Sequence, residues 1–413
     1  MTVGNVYFGL NEPGVMHLLI FFTGILLGVY SVLIYYYHRI WDQIPVHEGT
    51  YLGLKPSSDR DFSIRLAVGD LDDFPVGLIK VSVIIPARNE EKRIGNCLVS
   101  LLCQSYPSTH TEILVVNDFS SDDTAACVSG YAGKCKLLNL SDYVSDPLNA
   151  YKKKALEIGI AQSQGELIIC TDADCRMGPD WILTIVSAYV KYNLVFLAAP
   201  VKIISDGSAL SVFQALDFIS LQGITGAAVY KNLYPMCNGA NLAYSRKAFE
   251  AVGGFADIDH IASGDDMLLL KKIQGHFPGK CGFIKDPLAI VYTAPAENIR
   301  AFFSQRIRWA SKISHYKHPA TFITLGLVYL LNAGLLVLFL SCFFYGHWRW
   351  LLILVAFKTI SEYFFVSKVA TFFCQQSLMR YFPFCQPFHI AYTVIAGSFG
   401  SFGKYNWKNR QVK

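Results

Sequence analysis

Two aspartates one residue apart close an apolar run, Gly165-Glu-Leu-Ile-Ile-Cys-Thr-Asp-Ala-Asp-Cys175. Strand alternation points Asp172 and Asp174 the same way. Paired hard oxygen donors at a strand end suit Mg2+ or Mn2+ bridging a diphosphate, because such ions are held by one or two carboxylates plus phosphate oxygens. A capped turn before a helix starting near Pro179 and Trp181 is the plainer reading of the same residues. Two other segments carry related chemistry. Val81-Ser-Val-Ile-Ile-Pro-Ala-Arg-Asn-Glu-Glu91 reads as a buried strand ending in Pro86 that opens through Ala87, Arg88 and Glu90 into a loop able to wrap a nucleotide. Glu112-Ile-Leu-Val-Val-Asn-Asp-Phe-Ser-Ser-Asp-Asp-Thr124 puts Asp118 at the end of a second strand, where it can accept hydrogen bonds from a base or ribose. Asp118, Ser120, Ser121 and Asp122 would serve equally to cap the helix that follows.

Such loops need a scaffold that brings them to one edge. Across 79–296, β-rich runs at 81–85, 112–116, 167–170 and 194–200 alternate with helical patterns. That alternation predicts an α/β domain with a mostly parallel sheet. Ahead of it, 14–37 is an uncharged stretch long enough to cross a hydrocarbon core of about 30 Å as a helix. A cleaved signal peptide fits less well, since no Lys or Arg precedes the stretch and no small-x-small site follows it. Arg39 and Lys55 after the segment place residues 1–13 outside and the next region in the cytosol. Residues 38–78, polar and rich in Asp and Pro, read as a linker. Three further apolar segments follow near 321–345, 348–373 and 387–402, within a region of about three transmembrane or membrane-associated helices spanning 319–403. Trp348, Trp350 and Trp407 stand at segment ends as interfacial anchors should. Lys358 and Glu362, four apart, read as a buried pair. Three crossings would leave the basic tail 404–413 (Lys404, Lys408, Arg410, Lys413) outside, against the positive-inside rule, so one segment is expected to be re-entrant or interfacial.

Composition agrees with a chain that lies partly in lipid. Hydrophobic residues make up 53% and charged residues 16% of 413, a greasier balance than ordinary globular chains. A net charge of +5 with no run of about five or more like charges implies no nucleic-acid partner and fits a face against anionic lipid. Eleven cysteines show no CxxC pair or zinc spacing, and Cys97, Cys103, Cys127, Cys170 and Cys175 fall in or beside apolar runs as buried, reduced thiols do.

Taken in order, the three acidic strand-end segments resemble membrane-bound family-2 glycosyltransferases of the GT-A fold, the branch with cellulose, chitin and hyaluronan synthases and ceramide glucosyltransferase. Lys152 ahead of Ala155-Leu156 is similar to that family's Lys-x-x-Ala-Leu, which implies a lysine facing the nucleotide; Lys153 and Lys154 read as a solvated face. Asn238-Gly-Ala-Asn-Leu242, with Asn238 and Gly239 leading, resembles the loop beneath the acceptor. Ser263-Gly-Asp-Asp266 resembles the acidic pair Asp265 and Asp266, whose second member would be the catalytic base. Gln305-Arg-Ile-Arg-Trp309 fits Gln-x-x-Arg-Trp, which implicates Gln305, Arg308 and Trp309 in substrate binding. Two departures stand out: Asn117 where many relatives have Asp, and Gly264-Asp265 in place of Thr-Glu.

The resemblance implies an inverting transfer from a UDP- or GDP-type sugar, with Mg2+ or Mn2+ as cofactor and the catalytic domain on the cytoplasmic side of the cell (inner) membrane. Asp266 would take the acceptor proton, Asp174 would hold the metal, and Asp172 would share it or face the ribose. Arg308, a rigid guanidinium fork, suits the diphosphate. Residues 297–318, where Phe302, Phe303, Ile307 and Trp309 interleave with Arg300, Arg306, Arg308 and Lys312, read as a helix in the interface plane. A lipid or lipid-linked acceptor is favoured over a processive polysaccharide synthase, since about four apolar segments are sparse material for a channel. A catalytically silent membrane scaffold would not need four carboxylates at sheet edges, and a transporter would need more apolar segments.

Overall fold

A computed structural model describes residues 12–47, 78–145, 148–261, 264–311 and 319–400, with short strands at Ile64–Arg65, Pro75–Val76, Tyr405–Trp407 and Arg410–Val412. The N-terminal residues 1–11, the rest of the expected linker from 48 onward, and Ser263, Lys312, Lys404, Lys408 and Lys413 lie outside the described residues.

Seven strands form the central sheet: β1 (Val81–Ala87), β2 (Thr111–Asn117), β3 (Lys136–Asn139), β4 (Leu167–Cys170), β5 (Phe196–Ala198), β6 (Leu242–Ser245) and β7 (Cys281–Phe283), in the order β7-β5-β6-β4-β1-β2-β3. β1, β2, β3 and β4 pair in parallel, β6 runs antiparallel between β4 and β5, and β7 returns parallel to β5. The apolar runs of β1 and β4 are buried on both faces, as parallel strands covered by helices require. Register does the positioning. Ala87 pairs with Asn117 and Ile84 with Cys170, so the loops leaving β1, β2 and β4 emerge at one edge. A small second sheet of Arg176–Met177, Val291–Thr293 and Val201–Ile203 extends that edge.

The principal helices are α1 (Glu12–Gln43), α2 (Tyr151–Ala161), α3 (Ala209–Tyr230), α4 (Met267–His276), α5 (Ile299–Ser311), α6 (Pro319–Tyr345), α7 (Trp348–Phe372) and α8 (Phe382–Gly400). Four are long and apolar enough to cross a membrane: α1 over Gly14–Gln43, α3, α6 and α7. Of these α3 differs, being buried along nearly its whole length between the sheet and the other helices. Glycine makes that fit possible: a Cβ at Gly223 would lie 2.6 Å from both Phe365 and Val369 of α7, and one at Gly226 would lie 2.8 Å from Trp41 of α1. Small residues also let α6 approach α1 at Gly334, α8 approach α6 at Gly397, and α8 approach α5 at Gly400.

Pairings fix the helix directions. Tyr30 hydrogen-bonds Glu362 and Asp42 pairs with Lys368, so α1 and α7 run parallel, both ending at the α/β domain. α6 leaves the domain, turns at Gly346, and His347 meets His17 near the far end of α1 with ring centroids 6.2 Å apart. Lys358 and Glu362 are buried and 2.7 Å apart, and Gln386 of α8 bonds both. α8 stays at the domain end: the turn before it is tied to Ile203 through Gln375, and its last residue abuts Ala310 of α5. The expected interfacial helix is also seated differently from its sequence pattern. Arg306, on the face read as polar, is 4% exposed and lies beside Phe302 and Trp309. The physical reason is a buried counter-ion, Asp217 of α3, 2.8 Å away.

The cysteines are free thiols; Cys97, Cys170 and Cys175 are buried, Cys127 is partly covered, and Cys103 is exposed, since it caps the C-terminus of the helix Ile94–Leu102.

Candidate active site

At the shared sheet edge lies a cleft of about 250 Å³. It gathers Pro86, Ala87, Arg88 and Glu90 from the β1 loop, Asp118 from the β2 loop, and Asp172 and Asp174 from the β4 loop. Lys152 enters from α2, Asn238, Gly239, Asp265 and Asp266 from the segments before β6 and α4, and Gln305, Arg308 and Trp309 from α5. Residues spread over more than two hundred positions thus share one concave surface.

The β1 and β2 loops hold each other. Arg88 Nη1 donates to the carbonyls of Asp118 (2.9 Å) and Phe119 (2.8 Å), and Asp118 N donates to Ala87 O at 2.8 Å. Phe119 sits at φ +48, a conformation costly for a bulky side chain and kept where surrounding contacts over-determine it. Asp118 is 2% exposed and lines the cleft, while Asp122 accepts from Thr124 N at 3.1 Å at the start of the next helix. Asn117 has a reason of its own. Its amide donates to Asn139 Oδ1 at 3.1 Å and accepts from Ser120 N at 3.2 Å, a dual role that a carboxylate could not fill.

Electrostatically the floor is a cation among acids. Lys152 Nζ lies 2.7 Å from Asp172 Oδ1 and 3.3 Å from Asp265 Oδ2. Burial alone would lower the Lys152 pKa, but Asp172 and Asp265 outweigh it and raise it well above the ordinary lysine value, so the ammonium stays charged. Burial, reinforced by Asp174 and Asp172, pushes the Cys97 and Cys175 thiols up, which leaves them inert.

Asp266 is held by both oxygens. Oδ1 accepts from Met267 N at 2.7 Å, capping α4, and Oδ2 accepts from Gly239 N at 3.2 Å. Gly239 leaves room for the ion pair: a Cβ there would press on Lys152 Nζ at 3.0 Å and on Asp265 Oδ2 at 3.1 Å. Gly264 takes φ +81 just before the pair, a turn that an L side chain resists, which accounts for glycine at this departure from the family pattern. Asn241 anchors the 238–242 loop from below, donating to Pro200 O and Ala289 O at 2.8 Å each and accepting from Trp181 Nε1 at 3.1 Å.

Lys153 corrects an expectation. It is buried, not solvated, and donates to the carbonyls of Ile258 (2.7 Å) and Ile261 (2.6 Å), steadying the chain ahead of Asp265; Lys154 is partly exposed beside Glu157. The cleft also holds Asn149, Tyr151, Gln214 and Thr293, which sequence reasoning did not single out. Tyr151, next to Lys152, was the one with a local signal. Gln214 had none, since its partner Ala296 lies 82 residues away.

For a divalent metal, the donor set fits one held jointly by protein and substrate. Asp172 and Asp174 both line the cleft as oxygen donors, and Asp172 also pairs with Lys152. Among the described residues no group of three or more His, Cys, Asp or Glu forms a metal cage.

Comparison with known proteins meets this geometry. The family model described as "Glycosyl transferase family 2" matches residues 82–253, from β1 through β6. Residues 82–253 are a family 2 glycosyltransferase domain. Among curated relatives, "Probable glycosyltransferase YdaM" of Bacillus subtilis (strain 168) is 30% identical over 240 residues, 56% of this chain and 55% of that protein. The poly-beta-1,6-N-acetyl-D-glucosamine synthase of Staphylococcus epidermidis is 26% identical over 232 residues, 56% of this chain and 53% of the synthase. The match thus spans about half the length of these relatives. A solved mannosyltransferase from Pyrobaculum calidifontis, in complex with GDP-Man and Mn2+, aligns over 94% of this chain and 98% of its own at 19% identity and a TM-score of 0.55, a shared fold. The family 2 domain is therefore of GT-A type, with a mostly parallel sheet.

Proposed function

We propose that this family 2 chain is an inverting, membrane-integral glycosyltransferase that moves a sugar from a nucleoside-diphosphate sugar to a hydroxyl of a membrane lipid or lipid-linked acceptor. The observation that carries the reading is the convergence of Asp118, Asp172, Asp174, Asp265 and Asp266 with Lys152 and Arg308 in one cleft. The family 2 domain and the GT-A neighbour holding GDP-Man and Mn2+ support a nucleotide-sugar donor.

Each residue then has a task. Arg88 and the loop bearing Asp118 frame the nucleoside, and Lys152 and Arg308 face the diphosphate. A divalent ion on Asp174, supported by Asp172, would neutralise charge growing on the leaving diphosphate. Asp266, its carboxylate aimed by Gly239 N and Met267 N, takes the acceptor proton. α1, α6 and α7 support integration in a membrane, with α8 lying along the domain side.

Asp174→Ala is expected to reduce transfer by about 10²-fold or more, as is chelation of divalent ions, while the protein remains folded. Full activity in chelator, or in that variant, would remove the metal role assigned to Asp174. The relative named as a poly-N-acetylglucosamine synthase favours a second reading, processive polymer synthesis. Product size from membranes fed labelled donor separates the two: single additions support the first, long chains the second.

A further inference from the structure

α5 brings Gln305, Arg308 and Trp309 to the cleft, and side chains of α3 seat it there. The two helices meet in chain order. Phe213 stands edge-on to Phe302 with ring centroids 5.7 Å apart, Asp217 pairs with Arg306 at 2.8 Å, and Phe218 lies 6.1 Å from Trp309. Positions 213 and 217 on one helix, and 302 and 306 on the other, are one turn apart and share a face. The helices therefore run side by side in the same direction. Gln214 secures the entry to α5, accepting from Ala296 N at 2.8 Å and donating to Ala296 O at 3.1 Å.

The ion pair is the costly member of this seam. Asp217 and Arg306 are both buried, and the guanidinium carbon lies 5.0 Å from the Phe302 ring centre and 4.4 Å from that of Trp309. Two apolar side chains would fill the same space without the desolvation of two charges. What the charges add is direction, because apolar surfaces tolerate sliding and rotation that a guanidinium facing one carboxylate does not. Tyr392 of α8 donates to Asp217 Oδ1 at 2.5 Å and so orients the carboxylate as well. Arg306 and Arg308 stand about 200° apart around the helix axis, so locking the first onto α3 turns the second toward the cleft. A one-residue slip of α5 would swing its faces by about 100° and carry Arg308 away.

We propose that Asp217 is a positioning residue: through Arg306 it sets the rotation of α5 and thereby holds Arg308 against the diphosphate of the donor. The inference rests on the glycosyltransferase reading, in which Arg308 faces that diphosphate. Asp217 itself acts from outside the cleft. Because α3 also packs on α1 at Gly226 and on α7 at Gly223, the same residue ties the membrane helices to the phosphate end of the donor site.

The test uses the full chain in nanodiscs with Mn2+ present, and calorimetry of UDP against UMP and of GDP against GMP, following the base that binds more tightly. The readout is the ratio of diphosphate to monophosphate affinity. Arg308→Ala is expected to lower that ratio by about tenfold or more, the loss of one charge-assisted contact. Asp217→Leu/Arg306→Met, which keeps the seam apolar and strands no buried charge, is expected to lower it equally while monophosphate affinity, set by the loops of Arg88 and Asp118, is retained. Asp217→Asn is measured beside it as a second variant with the same expectation. Added to Arg308→Ala, the Leu/Met pair should lower the ratio no further, since it acts through Arg308. A wild-type ratio in the Leu/Met variant overturns the positioning role and leaves the glycosyltransferase reading standing. So does equal loss of both nucleotides in both variants, which marks a purely structural pair, or a further loss on top of Arg308→Ala. Absence of binding by either diphosphate overturns the broader reading and the inference with it.

Discussion

Lys152 is the residue on which the cleft's electrostatics turn, because Asp172 and Asp265 both lean on its ammonium. Replacing it with Met keeps the length and removes the charge. With Lys152 about a quarter exposed, the expected loss is about 1–3 kcal/mol of unfolding free energy, less than for a fully buried pair. Denaturant titration of the solubilised protein measures it, and an unchanged midpoint would mean that the carboxylates find other compensation. The sequence signalled Lys152 through its spacing to Ala155-Leu156, yet placed its neighbour Lys153 in solvent. Nothing local marks Lys153 as buried, since its carbonyl partners lie 105 and 108 residues along the chain.

At the scale of elements, the junction between α1 and the catalytic domain is expected to respond to pH. His47 is buried, its backbone N donates to Lys285 O at 3.0 Å, and its ring Nε2 is 2.9 Å from Ser187 Oγ. Burial, aided by Lys191, lowers its pKa to about 4, below the ordinary histidine value of 6.5. A depressed histidine binds its proton more readily when unfolded. Its contribution is therefore present above pH 6.5 and lost as pH falls toward 4. Thermal unfolding from pH 7 to 4 should show a steeper decline for wild type than for His47→Gln; equal slopes would contradict this. Packing of α3 makes a separate prediction. Gly223→Ala forces Phe365 or Val369 to move and is expected to cost about 1–3 kcal/mol, read as a lowered Tm.

These elements also show what the sequence made legible. The strands feeding the cleft announced themselves as apolar runs ending in acidic loops, because parallel strands buried on both faces admit little else. α3 did not. It is apolar like a membrane span yet packed inside the protein, and its one acidic residue, Asp217, finds Arg306 across 89 positions of sequence. Long-range pairing of this kind leaves no periodic signature, which is also why Arg306 read as part of a polar face.

For the whole molecule, helix directions bear on the side of the tail. α6 leads away from the catalytic domain, α7 returns to it, and α8 begins and ends beside it. The strand Tyr405–Trp407 then lies against α5, at the domain end of the helices. In sealed inside-out vesicles, protease that digests the catalytic domain should also remove a C-terminal epitope. Protection of the epitope would reverse the topology.

The central claim is that one cleft holds the donor and Asp266 deprotonates the acceptor at its edge. Diphosphate release and glycosylated product, counted together in nanodiscs carrying native lipids, test it most directly when wild type is set against Asp266→Asn. The account predicts equal counts of the two in wild type, and in the variant a fall in both of about 10²- to 10⁴-fold with donor affinity retained. Turnover by Asp266→Asn near the wild-type rate would contradict it.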